Sequence, residues 1–168
     1  HFFKDYWYRD EKKQWLNNYE REGYRGGRCE VFKRGERYVR SYDVNSMYLN
    51  VMHKQNLPDP NSAKYTGSPT LKQFYMSVFG AEIPTTKKDL TKLNAKKLFI
   101  TDVTVNVPEQ YIPPLPYKHD NKPVNKLIFP TGTFTAKFYS PELVYAIKNC
   151  GVTIKKVHSY VTYESEPY

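Results

Sequence analysis

The chain has 168 residues, a formal net charge of +9, and 39% hydrophobic and 16% aromatic residues, with 16 Tyr and 9 Phe. That length suits one domain, or one domain plus an arm, whose core must be built largely from Tyr and Phe bodies with their polar tips wet. The cation excess favours a polyanion partner, most simply nucleic acid, over a merely basic soluble protein, and no apolar run approaches membrane-span length.

Cys29 and Cys150 are too few for a disulfide framework or a zinc site, and both are expected to be reduced in an intracellular setting, with a single structural bridge as the alternative. His1, His53, His119 and His158 are too scattered for a metal cluster. The chain opens on His1 rather than Met, so it is expected to be a piece of a larger protein.

Taken in order, Phe2 to Tyr24 is aromatic and charged, and Phe3, Trp7, Trp15 and Tyr19 share a helical face, predicting a helix over Asp10–Arg21 ended by Gly23. Gly26-Gly27 allows positive φ and close backbone approach, and Arg25 and Arg28 flank the pair. Tyr24, Arg25, Gly26, Gly27 and Arg28 together could hold a sugar-phosphate strand, although two glycines in a loop are also ordinary. Cys29–Lys33 and Arg37–Val44 alternate as two strands around a Lys33–Glu36 turn, predicting an antiparallel hairpin that delivers Asp43.

Met47, Tyr48, Val51 and Met52 have helical spacing, with Ser46 or Asn45 as the cap. Asp43 therefore stands between a strand and a helix start, where a carboxylate can hold a hard cation such as Mg²⁺ while helix N–H groups face a phosphate. An aspartate near a helix start is equally an ordinary cap.

Leu57-Pro58-Asp59-Pro60 breaks the pattern and opens a loop-rich, lysine-bearing section, with a short helix over Leu71–Phe79. Leu98–Val107 is the clearest strand: Phe99, Thr101, Val103, Val105 and Val107 face one way, and Ile100, Asp102, Thr104 and Asn106 the other. Tyr111–Pro116 is extended and proline-stiffened, His119–Asn125 a loop, Lys126–Pro130 a short strand, Thr131–Thr133 a turn and Phe134–Tyr139 a strand. Ser140-Pro141-Glu142-Leu143 starts a helix with Ser as cap, Gly151 ends it, and Val152–Tyr163 is a final strand.

Asp43-Val44-Asn45-Ser46-Met47-Tyr48 closely resembles motif A, D-x-x-S-L-Y, of the family B DNA polymerases, above all the protein-primed branch of phages, adenoviruses and linear plasmids. Tyr24-Arg25-Gly26-Gly27 resembles that branch's Y-x-G-G signature, and the two stand in the expected order. The run from Phe129 through Ser140-Pro141-Glu142-Leu143 resembles the stretch that follows motif A.

The resemblance implies an α+β fold, with an antiparallel palm-like sheet, helices packed on one side and a loop-rich insertion. It divides the chain into an arm (1–23), the start of the palm (24–54), a basic insertion resembling the terminal-protein region (55–152) and a returning strand (153–168). Asp43 takes the place of the catalytic aspartate, Asp43 and the Val44 peptide oxygen of Mg²⁺ ligands, and Asn45, Ser46, Met47 and Tyr48 of nucleotide-binding positions, with Tyr48 as the steric gate against a 2′-hydroxyl. Tyr24, Gly26 and Gly27 take template-contacting positions.

DNA, dNTP, a terminal priming protein and the rest of a polymerase chain are the implied partners, with no membrane. The implied setting is a viral, phage, linear-plasmid or mitochondrial replication site. The D-T-D motif, the fingers lysine helix and an exonuclease D-x-E motif are absent. One aspartate cannot hold two metals in line, so this chain alone is expected not to polymerise DNA; a non-catalytic module binding nucleic acid or a priming protein is the alternative.

Overall fold

The computed structural model describes residues 14–119 and 126–166. The aromatics from Phe2 to Tyr8, the start of the Asp10–Arg21 helix and loop positions 120–125 lie outside the described residues.

In chain order the elements are α1 (Gln14–Gly23), α2 (Met47–Lys54), β1 (Leu57–Pro58), β2 (Lys64–Gly67), α3 (Leu71–Val78), α4 (Lys87–Lys92) and β3 (Leu98–Val107). Then come β4 (Tyr117–His119), β5 (Lys126–Ile128), β6 (Gly132–Tyr139), α5 (Ser140–Asn149), β7 (Thr153–Tyr163) and β8 (Ser165–Glu166). A four-stranded sheet in the order β2-β7-β3-β6 is antiparallel throughout. The register sets Ile100 beside Tyr139 on one flank and Val161 on the other.

Alternation along β3 sorts the two faces. Val103, Val105 and Val107 are buried with Phe138, Ile154, Val157 and Tyr160 under α3 and α5, which contribute Phe74, Val78, Leu143 and Ile147. Phe74 is the hub, edge-on to Tyr160 at 5.3 Å and to Phe99 at 5.5 Å between ring centroids. The opposite face is apolar only at one end, where Ile100, Val161 and Tyr163 pack with Leu16 of α1. The expected α+β class and antiparallel sheet are present; α1 adds a cover on the second face.

Several local details differ from the pattern-based expectation. Residues 24–44 form no strand and are largely exposed, so the predicted hairpin is absent. The chain bends near Gly35, which has φ +110°, but its flanks do not pair. An isolated two-stranded ribbon is marginal in water, and among the described residues no third strand pairs with this stretch.

Helix caps also shift. Ser46 precedes α2 in left-handed backbone with φ 52° and makes no side-chain cap. At α5 the cap position is Tyr139, whose N–H donates to the Glu142 carboxylate at 3.0 Å. Ser140 Oγ instead accepts from the N–H of Phe99, tying α5 to the central strand. Both cysteines are free, Cys29 being exposed. Among the described residues no helix is long and apolar enough to cross a membrane.

Candidate nucleotide and nucleic-acid site

Asp43 and Val44 end the irregular stretch, and a turn at Asn45–Ser46 leads directly into α2. The sequence thus places Asp43 just before a helix start, as its pattern predicts, but on an open segment rather than at the end of a hairpin. Asp43 Oδ1 accepts the Val44 N–H at 2.9 Å. All six residues from Asp43 to Tyr48 are exposed, and the Tyr48 side chain is 80% accessible, so its ring is not part of the core.

A divalent cation needs several oxygen ligands. Asp43 supplies one carboxylate, and among the described residues no group of three or more His, Cys, Asp or Glu side chains could hold a metal ion. These residues therefore do not complete a metal site by themselves.

The Tyr24–Arg28 segment lies against the sheet edge. Arg25 Nη1 donates to the carbonyls of Gly23 and Lys137, both at 2.9 Å, and its guanidinium carbon is 5.9 Å from the Phe138 ring centroid. Its Nε is buried with no hydrogen-bond partner. Burial lowers the Arg25 pKa from the usual arginine range, with nearby Glu142 and Tyr139 opposing the shift. Burial likewise raises the Glu142 carboxyl, while the Tyr139 N–H and Arg25 pull it back.

Arg28 is held as firmly. Its Nε donates to Glu30 at 2.6 Å, its Nη1 to the Pro113 carbonyl at 2.8 Å, and its guanidinium lies 4.2 Å from the Phe129 ring centroid. Both arginines flanking the glycine pair are thus turned onto protein. Gly26 and Gly27 do not have positive φ, and a Cβ built on either meets nothing within 4 Å. Among the described residues no other backbone approaches them closely, and the space beside them is open.

Tyr24, 77% exposed, stands on the walls of two grooves. One, of about 460 Å³, is lined by Arg21, Tyr117, Lys118, Thr135 and Lys137 among others. The second, of about 300 Å³, runs past Gly26, Arg28, Pro114 and Phe129. Neither wall includes Asp43–Tyr48, so the structure does not gather the two predicted groups of residues into one groove.

Lys118 and Lys137 were not singled out by sequence reasoning. Lys137 pairs with Glu22 and, at 3.6 Å, with Asp102. Its only signal in the sequence is alternation along β6, which sets it on the same side as Thr133 and Thr135.

A family model described as DNA polymerase type B, organellar and viral, matches residues 1–166. A curated protein from Ascobolus immersus, named a probable DNA polymerase, is 27% identical over 141 residues, covering 84% of this chain and 10% of the relative. The chain thus spans about a tenth of the length of the curated relative it matches. No solved structure matches.

Proposed function

The chain belongs to the organellar and viral type B DNA polymerases, and from that premise we propose that it forms part of a polymerase palm together with an insertion that docks a priming protein. In the full protein it binds DNA, dNTP and Mg²⁺ for protein-primed replication; alone it is inactive. The observation that carries this reading is the open corner of Asp43 and Tyr48 at the entry to α2.

Asp43 and the Val44 carbonyl would be two ligands of a divalent ion such as Mg²⁺, which neutralises triphosphate charge; the remaining ligands come from elsewhere in the polymerase. Backbone N–H groups of Asn45, Ser46, Met47 and Tyr48 face triphosphate oxygens at the helix start. The Tyr48 ring lies under the sugar, where a stiff phenol rejects a 2′-hydroxyl by crowding. Tyr24 contacts the template strand and the open space at Gly26-Gly27 admits its backbone, while Arg25 and Arg28 hold that segment to the sheet.

The test uses the full-length polymerase. Asp43→Ala is expected to abolish nucleotide incorporation while leaving the protein folded, and retained incorporation rejects the catalytic role. Tyr48→Val is expected to raise ribonucleotide incorporation; unchanged sugar discrimination rejects the gate. The second reading, a non-catalytic module, is favoured for the isolated chain by its single carboxylate at this corner.

A further inference from the structure

Among the described residues, the sheet face that carries α1 is covered at only one end. Beyond Tyr19, which hydrogen-bonds Ser159 at 2.8 Å, and Glu22, which pairs with Lys137, no helix of the described residues crosses it. The uncovered half is polar. Thr104 Oγ1 lies 2.9 Å from His158 Nε2 and 2.7 Å from Thr135 Oγ1, and Thr133 donates to Asn106 at 2.9 Å.

These contacts run across β7, β3 and β6 and connect two depressions. At the β6 end is the groove of Arg21, Tyr24, Lys118 and Lys137. At the β7 end is a groove of about 390 Å³ lined by Ser68, Thr70, Lys155, Lys156 and His158. At the usual strand spacing, these three strands span roughly 10 Å.

β7 is built to enrich this track. Its pairing with β3 slips twice, between Asp102 and Val103 and between Thr104 and Val105, so that His158 and Lys155 are each one residue extra. Each bulge sets two β7 residues against one of β3 and re-aims a side chain. Val157 and Ile154 still reach the core, while Lys156 pairs across from Thr104.

The charge is lopsided: Glu22 and Asp102 are both engaged by Lys137. Lys118, Lys155 and Lys156 are exposed, and none is within ion-pair distance of a carboxylate among the described residues.

We propose that this hydroxyl-and-lysine track across the open half of the sheet binds the sugar-phosphate backbone of a nucleic-acid strand, with Tyr24 at its rim stacking a base. Lysines neutralise phosphates, Thr hydroxyls and the His158 ring reach phosphate or sugar oxygens, and the flat floor admits an extended strand. The site is separate from the Asp43 corner and needs neither nucleotide nor metal.

The experiment measures binding of a fluorescent single-stranded oligonucleotide to the 168-residue chain in EDTA, without nucleotide, so its failure leaves the Asp43 reading untouched. Lys155→Glu with Lys156→Glu is expected to weaken binding at least about tenfold and to lower the slope of log affinity against log salt by about 1.4, roughly 0.7 for each phosphate no longer neutralised. Lys118→Glu should weaken it from the other end. Lys88→Glu with Lys92→Glu, the same charge change on α4, should leave affinity within about twofold.

Circular dichroism checks the fold, and the Lys155→Gln, Lys156→Gln pair serves if charge reversal unfolds the chain. Equal loss from the α4 pair, or no loss from the β7 pair, overturns the proposal. So does polyglutamate binding as tight as the oligonucleotide and equally sensitive to the β7 pair, which would make the track a protein dock.

Discussion

Arg25 ties the segment after α1 to the edge of the sheet, and truncating it to alanine removes two hydrogen bonds to carbonyls at once, those of Gly23 and Lys137. A hydrogen bond from a charged donor contributes about 1.5–3 kcal/mol when buried. Here the guanidinium is only half-buried, water reaches the released carbonyls, and removing the partnerless buried Nε relieves a cost. The net loss should therefore be about 2 kcal/mol, not the sum of two full bonds.

For a chain of this size about 2 kcal/mol lowers the melting temperature by roughly 4–8 °C. Arg25→Lys keeps the charge but loses the planar fork, and should recover less than half of that. Urea and thermal unfolding followed by circular dichroism give both numbers. The reasoning is refuted if Arg25→Ala changes stability by less than about 0.3 kcal/mol while oligonucleotide affinity collapses; Arg25 would then be a phosphate ligand.

Phe74 is fully buried at the hub of the aromatic cluster, so Phe74→Ala should cost about 3–5 kcal/mol in urea unfolding; a loss under about 1 kcal/mol would mean that α3 does not pack as described. Thr70 caps α3 reciprocally with Gln73, and Thr70→Ala should cost about 1 kcal/mol on the same assay. Tyr19 and Tyr75 are both pushed up to about 12, mainly by burial, the Tyr19 hydroxyl being partly relieved by Ser159. An unfolded tyrosine releases its proton near 10, so from there to about 12 the unfolded chain sheds protons that the native one keeps. Stability must fall as pH rises through that window. Phenolate absorbance recorded beside far-ultraviolet circular dichroism tests this, because full titration near pH 10 with the fold intact would contradict it.

How much of this was legible in the sequence depended on period and neighbourhood. β3 declared itself through strict alternation from Leu98 to Val107, and α5 through its Ser140-Pro141-Glu142-Leu143 start and Gly151 end. The hairpin over 29–44 failed because alternation reports an available face, not the presence of a sheet to receive it. Arg25 and Arg28 look like ligands from composition, yet their carbonyl partners lie 112 and 85 positions away. The two β7 bulges leave no compositional trace, so the clustering of Lys155, Lys156 and His158 emerges only from strand register. At the Asp43 corner, sequence pattern supplied the helix start and its exposed aromatic, but not the long irregular approach.

Positions 29–56 are fastened at both feet. Arg28 clamps one end to the Pro113 carbonyl, while at the other Leu57 and Pro58 zip to Glu166 and Ser165 and the Asp59 N–H reaches the Glu164 carbonyl. Because closing a leash costs only about 0.6 kcal/mol more per doubling of its length, the span between the feet can lengthen, shorten or be exchanged with little strain on the platform beneath. The span's reach toward a neighbouring surface can thus change while the four-stranded body stays as it is, so long as the two moorings are kept.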